Sequence, residues 1–570
     1  MITAQVAMRV TSNAKMDHLI NKNNTQKGGI MKILPRKLMF CLLVFFLFPV
    51  MVTFAADQAA DKANQIIRIA LEQEPPQLNS FLTEDSVSMM VLGHVMEGLL
   101  CYDRRGRLAP GVAERWDMDA SGATFYLRKD AQWSDGKPVT AKDFVFAWRM
   151  AVDPKVASEY AFIMYPVKNA EAINTGKIKD VTQLGVKAID DYTLKVDFEY
   201  PCGYFLGLAA FATYMPVRED FYKSRGDKYA AEASDMLYNG AFVLTEWVHG
   251  ASLKMNKNDK YWNKAAVTLN AIECPYITSD STALLNLFKD DKIVVANLDS
   301  ETIKTAMKNK MKIRKFASGR LRYLNFNHRE GKVTANLNFR KAIRAAFDPQ
   351  LFADKVVAVP GTLPGRSVMP AFLQGVSDKF RTEYPVPEHK VDPVAGKEYL
   401  AKAKKELGLD AFPPIVLLCD DYPAIAKMGE YLQGLLSETL GLDIKLDKQI
   451  FKQRLAKASA GDFDMMIGGW LPDYDDPMTY AELFASWNAN NSGKWKNTVY
   501  DEGIRLASQS VDTKVRMDAF GKAQQAMYDD IGALPLFEGS VVYVQHKNVK
   551  GISRSVTGFN PNFVYAKVAK

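Results

Sequence analysis

The sequence predicts an exported α/β protein of two or three domains built from interleaved chain segments. Three observations lead there. Residues 393–470 alternate helix-like and strand-like segments in the order of an α/β unit with a mainly parallel sheet. The first half instead carries hairpin signals. The body, 57–570, is too long for one ordinary core, yet no tandem repeat or low-complexity linker divides it. Domains that share the chain discontinuously fit that pattern better than beads on a string.

The elements follow in order. IIRIAL, 66–71, reads as a short buried strand closed by Glu74-Pro75-Pro76, and residues 85–100 show helical apolar spacing. Asp119-Ala120-Ser121-Gly122 is a turn before the alternating strand 123–129. Thr140 with Asp143 three residues on resembles a capping box, with Asp in place of Glu, ahead of an amphipathic helix. Residues 186–198 read as a hairpin turned at Asp190-Asp191, and a second hairpin follows Asn239-Gly240, turning at Gly250. A short helix is expected over 281–290, a strand over 321–327 and a helix over 337–347. Beyond them, helices at 393–408, 424–440 and 451–459 alternate with strands at 413–420, 442–447 and 463–470. Helices at 500–508 and 513–529 precede a late strand, 534–546.

Export is read from the start. Lys32, Arg36 and Lys37 precede an apolar run from Leu38 to Val52, and Thr53-Phe54-Ala55-Ala56 follows: basic, apolar, small, the order of a secretory signal peptide. The run is short for a bilayer-spanning helix. Residues 1–30 are polar and Met31 opens a conventional signal, so 1–30 are expected to be an upstream extension and 31–56 the signal peptide, cut after Ala55 or Ala56. Cys41 stands at the start of the run without the small residues that precede a lipid-modified cysteine, which favours a soluble periplasmic product.

Charge excludes one partner class. The chain is +8 overall, but residues 1–56 hold seven basic residues and one acidic, leaving 66 basic and 64 acidic, or +2, for the body. That balance gives no warrant for nucleic-acid binding. Cys101, Cys202, Cys274 and Cys419 are spaced too widely for a small disulfide scaffold, and export leaves their pairing open. No CxxC or HExxH pattern occurs, and the six histidines show no metal-ligand spacing, so no metal site or cofactor is implied.

Several segments together carry a family resemblance. They are EGLLCYDRRGRLAPGVAERWDM (97–118), FYLRKDAQWSDGKPVTAKDFVFAWRM (125–150), NGAFVLTEWV (239–248), KNDKYWN (257–263), LRYLNFN (321–327), FRKAIRAAFD (339–348) and GGWLPDYDDPMTYAELF (468–484). In order and spacing they resemble the extracytoplasmic solute-binding proteins of peptide/nickel-class ABC importers, oligopeptide-binding members above all. The resemblance implies a two-lobed periplasmic-binding-protein fold with an extra inserted domain and a buried interlobe cleft. Carried over, 57–100, 225–330 and 543–570 form the first lobe, 101–224 the extra domain and 331–542 the second lobe. It also implies a monomeric carrier with a peptide ligand, an inner-membrane ABC permease as partner and no cofactor.

Asp473 matches the family position that receives a peptide ammonium; the alternative is a turn cap. Trp470 is expected to wall the cleft or to pack in the core, and Gly468 and Gly469 to let a ligand approach the backbone. Tyr474, Tyr323 and Asn325 are further ligand-binding candidates. Asp475 and Asp476 read as turn and helix-cap residues before Pro477. Where well-known relatives place an arginine for the peptide carboxylate, this chain has Ile467; Arg454, Lys452 and Lys457 are the nearby basic residues, with the spacing of a helix face. Dipeptides, modified peptides, haem or a chelated metal are therefore alternative ligands. A secreted hydrolase is the alternative from another class, but neither GxSxG nor HExxH occurs and adjacent acidic pairs do not face each other as glycoside chemistry needs.

Overall fold

The computed structural model describes residues 58–569. The expected upstream extension, 1–30, and signal peptide, 31–56, lie outside the described residues. Among the described residues no helix is long and apolar enough to cross a membrane.

Three sheets organise the body. The first has five strands, in the order Ala60–Asp61, Ile66–Leu71, Ala271–Ile277, Ser252–Lys257, Phe242–Val248. Its hairpin is the one signalled by Asn239-Gly240 and Gly250. The second has four antiparallel strands, Ala113–Met118, Gly122–Leu127, Thr193–Asp197 and Val186–Asp190, covered by the helix Ala141–Val152. The capping box at the start of that helix is present, with Thr140 and Asp143 exchanging both bonds. The first helix is shorter than its pattern suggested. Asp85 caps it through the N–H groups of Val87 and Ser88, and it ends at Val95 because Met96 turns extended.

The third sheet runs in the order Val295–Leu298, Ala533–Gln545, Ile313–Phe326, Met465–Trp470, Ile415–Asp420, Ile444–Gln449, with Leu363–Pro364 added on Ala533–Gln545. Only its last three strands are parallel; the other pairings are antiparallel. The expectation of a mainly parallel sheet is corrected accordingly. The β-α-β-α-β run builds the parallel part, and Met465–Trp470 then meets Ile313–Phe326, a strand from far earlier in the chain that enters from the other direction. The helices Pro423–Leu440 and Leu337–Ala346 bury Leu432, Leu436, Phe339 and Ile343 against Leu417, Ile444 and Ile467.

Ile313–Phe326 and Ala533–Gln545 change partners along their length. Ile313–Ala317 pairs with Ser540–Val544 beside Val295–Leu298, whereas Leu321–Asn325 pairs with Ala533–Glu538 beside Met465–Trp470. The register shifts between 317 and 321, where Ser318-Gly319-Arg320 bulges and Gly319 takes φ +69°. Both long strands thus change neighbours midway along their length. The sequence has no turn signal there because the backbone bends without breaking.

The C-terminal segment is tied to the first helix by a buried histidine. His94 Nδ1 lies 2.7 Å from the Met90 carbonyl, and the Phe563 N–H donates to His94 Nε2 at 2.9 Å. The second bond needs a lone pair on Nε2, so Nδ1 carries the proton. Burial lowers the His94 pKa from 6.5 to about 4. A depressed histidine stabilises the fold above 6.5, and that contribution is lost as pH falls through about 4. Over that interval it is worth about 3 kcal/mol. His94→Leu should therefore lower the urea midpoint at pH 7 yet lose less than the parent protein between pH 7 and pH 4. An acid limb unchanged by the substitution would refute the assignment.

Candidate functional site

Two connected chambers lie between the sheets. One, of about 160 Å³, is walled by charged groups that include Glu84, Glu159, Arg322 and Arg454. The other, of about 180 Å³, is walled mainly by apolar side chains. Asp473, Leu471, Arg320 and Glu72 line both, so they stand at the junction.

Asp473 sits just beyond the carboxyl end of Met465–Trp470, where α/β folds tend to place ligands. Its backbone N–H donates to Thr479 Oγ1 at 3.0 Å, fixing the loop. Burial drives the Asp473 pKa well above the usual carboxylate range, and the Tyr160 hydroxyl, its hydrogen-bond partner, opposes that only in part. No cation pairs with it among the described residues. Its side chain still reaches the cavity surface; the burial is within the molecule, beside an enclosed space. Burial favours the neutral form of an aspartate held this way, and a nearby ammonium would favour the charged form.

Trp470 lines the charged chamber and stacks on Tyr160 at 5.9 Å, with the rings 12° from parallel. Tyr323 lines the same chamber and meets Phe484 edge-on at 5.1 Å. Gly468 and Gly469 also line it, but room for a ligand is not their main constraint. A Cβ at 468 would stand 2.8 Å from the Tyr323 ring, and one at 469 would stand 2.6 Å from Arg322 Nη1. Each glycine faces its cross-strand partner, Tyr323 or Arg322, and leaves room for that side chain. Tyr474 is buried outside the chambers, stacked on Tyr204 at 5.4 Å. Asn325 is also buried outside them, its amide against Gly493. The structure therefore brings Asp473, Trp470, Gly468, Gly469 and Tyr323 to the chamber walls, while Tyr474 and Asn325 lie outside the two linings.

Of the basic residues noted in the sequence, Arg454 reaches the chamber, with Nε 3.1 Å from Asp420 Oδ1. Lys457 is held by Asp447 and Asp462, and Lys452 faces solvent. Ile467 is fully buried in the core beneath the sheet. Asp476 accepts from the Met478 N–H at 3.0 Å and pairs with Arg516 at 2.7 Å, a cap locked by an ion pair. Sequence reasoning missed Tyr160, Glu84, Glu159, Arg320, Arg322 and Arg554. Of these only Arg320 and Arg322 carried a signal, two arginines spaced to share one face of a strand.

Glu84 and Glu159 face each other at the rim of the charged chamber. Burial and the neighbouring Glu159 carboxyl push the Glu84 pKa well up. Ser459 donates to Glu159 at 2.7 Å, so this contact, like Tyr160 on Trp470, joins segments far apart in the chain. Cys101, Cys202, Cys274 and Cys419 are free thiols. No metal-ligating cluster occurs among the described residues.

The profile described as "Bacterial extracellular solute-binding proteins, family 5 Middle" matches residues 107–492. The chain belongs to this family of solute-binding proteins. It is 31% identical over 508 residues to the oligopeptide-binding protein OppA of Bacillus subtilis, covering 87% of this chain and 92% of that one. The substrate-binding domain of an oligopeptide ABC transporter from Bacillus anthracis superposes with TM-score 0.85 at 35% identity, covering 90% of this chain and 100% of that one. The two-lobed α/β fold is thereby established. The family consists of binding proteins rather than enzymes, and it works outside the cytoplasm.

One relative also reports on conformation. The Escherichia coli murein tripeptide-binding protein MppA, 25% identical, fits with TM-score 0.80 over 90% of this chain and 99% of its own. The unliganded open form of MppA, also 25% identical, fits at only 0.59 over 90% and 98%. The described residues thus depart from the open arrangement, in keeping with the cross-cleft contacts of Tyr160 and Glu159.

Proposed function

We propose that this chain is the substrate-binding component of an ABC importer, capturing oligopeptides in the cleft and delivering them to an inner-membrane permease. The observation that carries the reading is the Asp473 carboxyl, buried beside the cavity with no cation to pair it. A peptide ammonium supplies that charge, and the pairing strengthens as the cleft excludes water. The oligopeptide-binding names of the relatives support the same ligand class.

In this reading 57–100, 225–330 and 543–570 serve as one lobe, 331–542 as the other and 101–224 as the extra domain. The protein works in the periplasm as a monomer, without covalent chemistry, and binds no nucleic acid. Native mass spectrometry of the purified protein, with its ligand released and sequenced, tests the proposal. Peptides of mixed sequence and narrow length are expected. One defined non-peptide compound or a metal-containing mass would replace the peptide carrier with a specialised receptor.

A further inference from the structure

The charged chamber holds two carboxyls in direct contact. Glu84, one residue before the Asp85 cap of the first helix, is hydrogen-bonded to Glu159, which follows the helix Ala141–Val152. Both line the chamber. Such a bond exists only with a proton in it, because two ionised carboxylates offer acceptors and no donor. Burial first, then the bond and the charge of Glu159, raise the Glu84 pKa from 4.5 to about 9, so Glu84 carries that proton and donates it.

The charged groups around the pair leave it in place. Asp85 accepts from the Val87 and Ser88 N–H groups and adds negative charge beside Glu84. Arg454, the cation that acts on Glu84, has its Nε on Asp420 at 3.1 Å. Lys494 interacts electrostatically with Glu159, while burial and Arg329 lower its own pKa. The Tyr160 hydroxyl, next along the chain from Glu159, is bonded to Asp473.

The pair is also where distant segments meet. Ser459, on the helix Phe451–Ala460, donates to Glu159 Oε1 at 2.7 Å, and Asn490 Nδ2 donates to the Glu159 carbonyl at 3.5 Å. In the division of the chain proposed above, Glu84 and Glu159 stand on one side of the cleft, and Ser459, Asn490 and Arg454 on the other.

We propose that the proton shared by Glu84 and Glu159 latches the cleft, which stays closed while the pair keeps it and opens as the pair ionises. This rests on that division of the chain. Opening admits water to both carboxyls and so removes the main cause that holds the proton; closure therefore takes a proton up. The stabilisation of the closed arrangement is fully present below the ordinary value of 4.5 and is lost as pH rises through about 9. Between those values each pH unit multiplies the ratio of open to closed about tenfold.

Small-angle scattering of the purified protein, refolded from urea to remove bound ligand, tests the latch from about pH 5 to about pH 9. The radius of gyration is expected to grow over that range. Glu84→Gln should stay compact throughout, because glutamine donates to Glu159 without titrating. Gly319→Val, which forces segments at the cleft apart by bulk, should be expanded at every pH. A parent radius that ignores pH, or one that grows equally in Glu84→Gln, would overturn the latch, and the parent series needs no variant to fold. If Gly319→Val is nevertheless expanded, the two-sided cleft stands without its latch. If it too matches an unresponsive parent, the division of the chain falls as well.

Discussion

Asp473→Asn should weaken binding of a free-amine peptide by about a hundredfold to a thousandfold, and binding of its N-acetylated counterpart by less than about threefold. The asymmetry follows from what the substitution removes. Asparagine matches the neutral acid in shape and still accepts from the Tyr160 hydroxyl, so the empty cavity is nearly unchanged. What it lacks is the ability to ionise. Burial raises the Asp473 pKa above the usual carboxylate range, and an arriving ammonium favours the ionised form, so binding should draw off proton from the carboxyl. Calorimetry of the free-amine peptide in buffers of different ionisation enthalpy should therefore report about one proton released in the parent protein and none in the variant.

The effect on stability has a definite sign. A carboxyl whose folded pKa is raised binds its proton more tightly in the folded state. Its contribution is fully present below the ordinary value of 3.8 and declines as pH rises through the folded pKa. Asparagine abolishes that decline. The variant should hold its urea midpoint better than the parent as pH rises toward neutrality. Equal loss of both peptides, or proton release that survives the substitution, would remove Asp473 from the ammonium site.

Gly319→Val should cost about a hundredfold or more in ligand affinity while leaving each half of the molecule folded. Gly319 occupies φ +69°, which a β-branched residue adopts only at about 1–3 kcal/mol of strain. A Cβ there would meet Val556 Cγ1 at 2.7 Å, Pro472 Cγ at 3.0 Å and the Tyr480 hydroxyl at 3.1 Å. Val556 lies in the C-terminal segment, whereas Pro472 belongs to the loop that carries Asp473 and Tyr480 to the short helix Met478–Ala481 that follows it. Gly319 is thus wedged between the C-terminal segment and the segment that follows Trp470. Its carbonyl also accepts from the Tyr480 hydroxyl at 2.5 Å. A larger side chain relieves its overlap by spreading the two sides. Small-angle scattering should report a larger radius of gyration for the variant, and saturating ligand should only partly reverse it. Unchanged scattering with unchanged affinity would show that the bulge does not govern the arrangement.

Local pattern made most of the elements legible. Period-two alternation and turn residues marked the hairpins, helical spacing marked Pro393–Glu406 and Pro423–Leu440, and the capping box at Thr140 was visible as two residues three apart. These signals work because each depends on neighbours along the chain. The helix expected over 85–100 ran past its true end at Val95 because apolar spacing continues into a segment that is buried in extended form. The motif around GGWLPDYDD drew attention to Asp473 and Trp470 through resemblance. The same stretch suggested Tyr474, which the fold turns away to stack on Tyr204.

By itself, then, the sequence determined the family and most of the kinds of element and their order, and it drew attention to Asp473. Only the tertiary structure decided which charged side chains meet at the cavity. Arg320, Asp473 and Arg554 are separated by long stretches of chain, and each looks ordinary in its own neighbourhood. Their meeting depends on two long strands that swap partners halfway, bringing the bulge at Gly319 and the loop after Trp470 to one cavity. The two glycines make the same point. Their lack of a side chain is plain in the sequence, but that the room belongs to Tyr323 and Arg322 follows from register, and register is settled by which strand lies alongside.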